Sequence, residues 1–139
     1  MEGEQLGKVS QILEALDAGG RAKLLALSKR RHFAAGTAIF KEGDEGDEFF
    51  VVAKGRVQVT VDDVGKAKDV AILEHGSIFG EMAMLSGGIR SATVTALEEV
   101  DVVAFPGAAV EALLTAYPLA REALHHIGII RAEQLVEVQ

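Results

Sequence analysis

The spacing of apolar residues changes twice along the chain, and these changes divide it into three parts. Between residues 9 and 16 apolar side chains recur at helical spacing, and Gly19-Gly20 is a stop signal that predicts the end of a first helix. Residues 24–27 predict a second short helix before the basic trio Lys29-Arg30-Arg31. We interpret the trio as the solvated end of that helix, favoured by the helix dipole; a docking patch for a partner is the alternative.

From His32 onward the period changes to one typical of strands. Turn signals separate the apolar segments at Gly36, at residues 43–47 and at Gly55. Many short strands between regular turns predict a mainly β fold with flanking helices, in the form of a small sandwich or barrel. We predict short strands on both sides of Gly36, a polar hairpin loop at 62–68, and further strands at 48–53, 57–61, 70–73, 91–96 and 100–105.

Helical spacing returns after Phe105-Pro106-Gly107. Residues 108–116 predict one helix, and Pro118 is well placed to begin the next. The apolar stripe of that last helix carries one charge, Arg131, and continues to Leu135. We therefore predict a single domain over residues 1–139, with N-terminal helices at 1–30, a β part at 31–106 and C-terminal helices at 107–139.

Composition limits the classes of protein to consider. A chain of 139 residues with 49% hydrophobic residues is long and apolar enough for one globular domain with a core. The net charge of −7 argues against a nucleic-acid backbone as the main partner. Cysteine is absent, which fits a reducing compartment, and residues 1–4 lack the apolar core of a signal peptide. Charges and prolines interrupt the apolar region at 100–120, so we predict no membrane span and a cytoplasmic protein.

The stretch from Phe79 to Ala96 carries the candidate chemistry. Gly80 allows the backbone to turn and to approach a ligand closely. A helical turn starting at Glu81 has free N–H groups that attract an anion, and Arg90 follows at the start of a strand. This arrangement predicts a phosphate held between the turn and a guanidinium. Because a carboxylate repels phosphate, we interpret Glu81 as the acceptor for a sugar hydroxyl on the other side of the ligand.

Gly-Glu-Met-Ala-Met followed by Arg-Ser-Ala-Thr-Val, within residues 79–96, resembles the phosphate-binding cassette of cyclic nucleotide-binding domains. The glycine turn at 43–46, the apolar strand at 49–52 and Gly55 resemble the same family, while Phe40 replaces a smaller aliphatic residue. The resemblance implies an eight-stranded antiparallel β-roll (jelly roll) with an inserted cassette helix and C-terminal helices that form a lid. We expect the turn glycines to shape the roll without touching the ligand.

The resemblance also assigns roles to individual residues. It implies that Arg90 clamps the phosphate, that Glu81 accepts from the ribose 2′-hydroxyl, that Gly80 approaches the ribose, and that the N–H groups of Ala83 and Ser91 complete the phosphate cradle. Taken alone, Arg90 also fits a surface salt bridge and Glu81 a helix-dipole carboxylate. The full predicted ligand-binding set is Gly80, Glu81, Met82, Ala83, Arg90, Ser91 and Ala92.

Four further residues are candidates for the lid and the base pocket. Arg131 is a lid candidate by resemblance, and Leu135 lies one turn later; an ordinary exposed arginine is the alternative for the former. Leu73 and Val61 are candidates for the purine pocket by their strand positions, with core packing as the alternative.

The function implied by the resemblance is a non-enzymatic regulatory module that binds cAMP or cGMP and uses no cofactor or metal. In the family, threonine at the position of Ser91 favours cGMP and alanine favours cAMP, and for serine we favour cAMP. Transcription regulators of the cAMP-receptor type have a helix-turn-helix after the long helix, and the sequence up to Gln139 leaves no room for one. We expect an unknown effector protein and a monomer or weak homodimer. A ligand-free roll that acts as a protein-interaction domain is the alternative.

Overall fold

The computed structural model describes the backbone of residues 7–84 and 87–138, with side chains as far as Arg131. Within these ranges no helix is both long and apolar enough to cross a membrane. The helices are α1 (Ser10–Leu13), α2 (Ala18–Ala26), α3 (Gly107–Leu114) and α4 (Pro118–Val138), and Glu81–Met84 form one turn of 3₁₀ helix. The strands are β1 (Lys29–Phe33), β2 (Ala38–Phe40), β3 (Phe49–Lys54), β4 (Val57–Asp63), β5 (Lys66–Leu73), β6 (Ile78–Phe79), β7 (Thr93–Ala96) and β8 (Val100–Phe105).

The eight strands form two four-stranded sheets, in the orders β1-β8-β3-β6 and β2-β7-β4-β5. Their pairings are antiparallel throughout the described residues. The predicted class, a mainly β antiparallel roll with flanking helices, is therefore confirmed.

Strand β3 explains why the core has two layers. Phe50 and Val52 point between the sheets, where they pack with residues of β4, β7 and β8. Phe49 and Val51 point to the opposite face, where they pack with side chains of all four helices. A strand covered on both faces needs apolar residues at every position, which is the run seen in the sequence.

The N-terminal part differs from its prediction. Helix α1 is a single turn, and Gly19-Gly20 lie inside α2 because Asp17 caps that helix by accepting a hydrogen bond from Gly20 N at 2.7 Å. The basic trio is not a helix end, since it lies on β1 and pairs with β8. The cap outweighs the glycine stop signal, and strand pairing outweighs the local preference of the trio.

The polar segment predicted as a loop at 62–68 is mostly strand. β4 and β5 continue to a two-residue turn at Val64-Gly65, where φ is positive at both residues (54° and 81°). Such a turn matches the twist of the two strands and allows them to pair up to its edge. The side chains are polar because this end of the hairpin extends into water, not because it lacks regular structure.

Candidate functional site

The 3₁₀ turn Glu81–Met84 is called the cassette turn below. A cavity of about 600 Å³ lies between this turn, the β4–β5 hairpin and α4. The chain enters the turn through Gly80, whose φ is +84°. A Cβ at Gly80 would lie 3.1 Å from Arg90 Nη1 and 3.2 Å from the Glu48 carbonyl oxygen, so this position accepts only glycine without displacement of the neighbours. All seven residues of the predicted ligand-binding set line the cavity: Gly80, Glu81, Met82, Ala83, Arg90, Ser91 and Ala92.

Arg90 is 5% exposed, so its positive charge lies inside the protein. Its Nη1 donates to the carbonyl oxygens of Glu48 and Gly80 at 2.8 and 3.0 Å, and its guanidinium carbon lies 4.2 Å from the centre of the Phe40 ring. Among the described side chains, Arg90 Nε is a buried nitrogen that has no hydrogen-bond partner. Burial lowers the pKa of the guanidinium, and the acidic side chains nearby, led by Glu48, oppose that shift.

The turn at residues 43–46 fixes the backbone of Arg90 through two hydrogen bonds. Arg90 N donates to the Asp44 carbonyl oxygen and Gly43 N donates to the Arg90 carbonyl oxygen, both at 2.8 Å. A Cβ at Gly46 would lie 2.8 Å from Arg90 Nη2. This glycine therefore leaves space for the guanidinium, in addition to shaping the roll as its sequence pattern suggests.

Glu81 is 3% exposed, and both of its carboxylate oxygens accept hydrogen bonds. Oε2 accepts from Met82 N at 2.9 Å, and Oε1 accepts from Arg131 Nη1. The same Nη1 donates to the Ile78 carbonyl oxygen, so Arg131 ties α4 to β6 and to the turn. Burial raises the pKa of Glu81, and the positive charge of Arg131 opposes that shift.

The structure places two of the four lid and base-pocket candidates at the cavity. Arg131 and Leu73 line the cavity. Val61 is buried but does not line it; Val59, two residues earlier in β4, does, because it pairs with Ala71 of β5, which also lines the cavity, whereas Val61 pairs with Lys68 beyond it. Leu135 belongs to α4, and its side chain lies outside the described residues.

Phe40 and Lys8 are among the cavity residues that had no assigned role in the sequence interpretation. Phe40 presents its ring to the guanidinium of Arg90, and the only signal for it was its unusual size at that position. Lys8 also lines the cavity and donates through Nζ to the His75 carbonyl oxygen at 2.9 Å. Nothing in the local sequence indicated Lys8, because it reaches the cavity through a long-range contact.

Comparison with known proteins agrees with this geometry. Residues 30–117 match the family model of the cyclic nucleotide-binding domain. This chain belongs to the cyclic nucleotide-binding domain family. The match contains the whole cassette, the turn that fixes Arg90 and seven complete strands.

Individual members of the family support the assignment. The domain is 34% identical to the cyclic AMP receptor protein of Thermus thermophilus over 116 residues, covering 81% of this chain and 52% of the receptor. It is 37% identical to human cGMP-dependent protein kinase 2 over 93 residues, covering 66% of this chain and 12% of the kinase. The crystal structure of the Thermus thermophilus catabolite activator protein superimposes with a TM-score of 0.79 at 28% identity, covering 90% of this chain and 59% of that one. The chain thus spans about half the length of the receptor and a small part of the kinase.

Proposed function

We propose that this cyclic nucleotide-binding domain holds a cyclic purine mononucleotide, with cAMP preferred over cGMP, in the cavity beside the cassette turn. The observation that carries the proposal is the buried guanidinium of Arg90, whose Nε has no partner in the described structure. A buried cation with an unused donor is costly unless an anion joins it. The role is regulatory, without a catalytic step, and an effector protein in the cytoplasm reads the bound state.

The cyclic phosphate fits the end of the cavity at Arg90. Its single negative charge neutralises the guanidinium, and its oxygens accept from Arg90 Nε and from the N–H groups of the turn near Ala83. Glu48 and Gly80 already hold Nη1 through their carbonyl oxygens, so the guanidinium is oriented before the ligand arrives. Preorganisation of this kind reduces the entropy lost on binding.

The ribose fits beside Glu81. An ionised carboxylate has about four acceptor positions, and the described contacts of Glu81 with Met82 and Arg131 use two of them. The remaining capacity serves the 2′-hydroxyl. Burial raises the pKa of Glu81, and the positive charge of Arg131 acts in the opposite direction and so favours the ionised form that accepts hydrogen bonds.

The base fits against the apolar wall formed by Val59, Ala71 and Leu73. These side chains cover the faces of a purine but do not distinguish adenine from guanine. Ser91 lines the cavity and has the hydroxyl of threonine without its methyl group, so it decides little between the two bases. The preference for cAMP is supported by the likeness to a cyclic AMP receptor protein, although the likeness to a cGMP-dependent kinase keeps cGMP as the competing ligand.

Calorimetric titration of the purified domain tests the proposal. A ligand of about twenty non-hydrogen atoms at roughly 0.3 kcal/mol per atom corresponds to a Kd on the order of 10 μM. We expect cAMP to bind in this range and more tightly than cGMP, and we expect 2′-deoxy-cAMP to bind about tenfold more weakly, because it lacks the Glu81 contact. Linear AMP is the control for the cyclic phosphate. Absence of heat, and of any rise in melting temperature, with both cyclic nucleotides at millimolar concentration would refute the proposal.

We further propose that α4 acts as a lid whose position depends on the ligand. Arg131 is the link, because it joins α4 to the carboxylate that holds the ribose. Hydrogen exchange should slow in the α4 amides when cAMP saturates the domain, and the change should disappear in Arg131→Met, which lacks the link. Equal exchange with and without saturating cAMP would show that α4 does not respond to the ligand.

A further inference from the structure

A short N-terminal segment, Gly7–Val9, lies along the β6 end of the first sheet. Ile78 N donates to the Gly7 carbonyl oxygen at 2.6 Å, and Val9 N donates to the Gly76 carbonyl oxygen at 2.8 Å. Lys8 pairs with Ser77 as an antiparallel bridge between these two bonds. In addition, Gly7 N donates to Gln11 Oε1 at 2.9 Å. The backbone of Gly7 is therefore fixed on both sides.

The space beside Gly7 is filled by the guanidinium of Arg131. A Cβ at Gly7 would lie 2.9 Å from Arg131 Cζ and closer still to Nη2. On its other side the guanidinium donates to Glu81 and to the Ile78 carbonyl oxygen. Arg131 is thus enclosed between the N-terminal segment and the cassette turn, and only a residue without a side chain fits at position 7.

We propose that Gly7 is a positioning residue of the nucleotide site: the absence of a side chain there places the Arg131 guanidinium on Glu81, and through Glu81 it sets the affinity for the ribose hydroxyl. The proposal rests on the function proposed above. It makes the N-terminal segment part of the binding site although Gly7 itself touches no ligand.

A side chain added at position 7 would displace the less rigid of its two neighbouring groups, the Gly7 backbone or the Arg131 guanidinium. Two backbone hydrogen bonds and the Gln11 contact hold the Gly7 segment, whereas the guanidinium is the far end of a flexible side chain. A methyl group at position 7 therefore moves the guanidinium and not the strand. Without Arg131 beside it, the buried Glu81 loses the cation that favours its ionised form, and it becomes a weaker acceptor for the 2′-hydroxyl.

Gly7→Ala and Gly36→Ala form a matched pair for the test. Both glycines have φ of +85°, so both substitutions carry the cost of a left-handed backbone for alanine. A Cβ at Gly36 meets nothing within 4 Å, whereas a Cβ at Gly7 collides with Arg131. We expect titration with cAMP to give about tenfold weaker binding for Gly7→Ala and unchanged binding for Gly36→Ala, with similar losses of melting temperature.

Two further measurements separate positioning from general damage. The loss in Gly7→Ala should largely vanish with 2′-deoxy-cAMP, which makes no contact with Glu81, and it should vanish in an Arg131→Met background, where no guanidinium remains to be moved. Equal losses for cAMP and 2′-deoxy-cAMP, or a full loss in the Arg131→Met background, would overturn the inference.

Gln11→Met provides a second route that keeps glycine at position 7 but loosens the segment that encloses the Arg131 guanidinium. It removes the acceptor of the Gly7 N–H, and we expect it to weaken cAMP binding about threefold while sparing 2′-deoxy-cAMP. Unchanged cAMP binding in this variant would count against the inference even if Gly7→Ala failed to fold. If the wild-type domain binds neither cyclic nucleotide, the proposed function fails and the inference with it; if it binds cAMP and Gly7→Ala binds equally well, only the inference fails.

Discussion

Replacement of Arg90 by glutamine is expected to weaken cAMP binding by about 10²–10³-fold. The variant leaves the negative phosphate in a buried site with no cation beside it. Glutamine has a similar length and keeps an N–H donor, but it carries no charge and cannot engage the phosphate through two parallel bonds. Calorimetric titration of cAMP into both proteins measures the difference.

The same variant is expected to leave the unliganded fold almost unchanged, with a melting temperature within about 5 °C of the wild type. In the absence of ligand, Arg90 is a desolvated cation whose Nε has no partner in the described structure, so its removal relieves a cost. The glutamine amide can still donate to the carbonyl oxygen of Glu48 or Gly80. Binding and stability are thus expected to respond differently to one substitution.

Arg56→Gln is the matched control for the loss of a positive charge. Arg56 is about half exposed and pairs with Glu98 at 3.5 Å on the surface, where an ion pair contributes little. We expect wild-type affinity for this variant. Retention of wild-type affinity in Arg90→Gln would refute the assignment of the phosphate site.

The second large effect concerns stability. Leu124→Ala is expected to lower the free energy of unfolding by about 2–5 kcal/mol, which corresponds to a fall in melting temperature of roughly 10 °C. Leu124 is 1% exposed and lies in the cluster that joins α4 to the first sheet. Its truncation leaves a cavity that the surrounding helices and strands fill only in part.

Leu119→Ala makes the same chemical change in the same helix at a residue that is 71% exposed. We expect its free energy of unfolding to stay within about 0.5 kcal/mol of the wild type. Urea denaturation of both variants gives the comparison, with similar m-values expected if only the native state has changed. Equal destabilisation by the two substitutions would mean that α4 does not pack on the sheet through Leu124.

The predicted strands succeeded where the pattern was local. Residues 100–105 were predicted within their observed bounds, because strand signals there coincide with burial between or behind the sheets, whereas the two-residue strand at 78–79 was not predicted. The trio at 29–31 failed because its strand state depends on pairing with β8, about seventy residues away in the chain. A short polar segment has no local feature that reveals such a partner.

The candidate site also combines features that local sequence predicts with features that depend on long-range contacts. The order of Gly80, Glu81 and Arg90 was enough to predict a phosphate-binding turn, because these residues act through backbone freedom, charge and spacing within one short segment. The contact of Arg131 with Glu81 was not predicted, since it depends on the direction in which α4 crosses the cassette. The exchange of Val61 for Val59 depended on how far the cavity extends along the paired strands β4 and β5, which only the tertiary structure defines.

The sequence by itself determined a mainly β fold through its hydrophobic period, and the resemblance of its cassette and turn motifs implied the family and the antiparallel roll, because both signals are written in consecutive residues. Only the tertiary structure decided which groups surround the cavity: Phe40 against Arg90, Arg131 on Glu81, and Gly7 behind Arg131. These contacts join residues about fifty or more positions apart, and their geometry is fixed by the packing of whole elements, which no local pattern encodes.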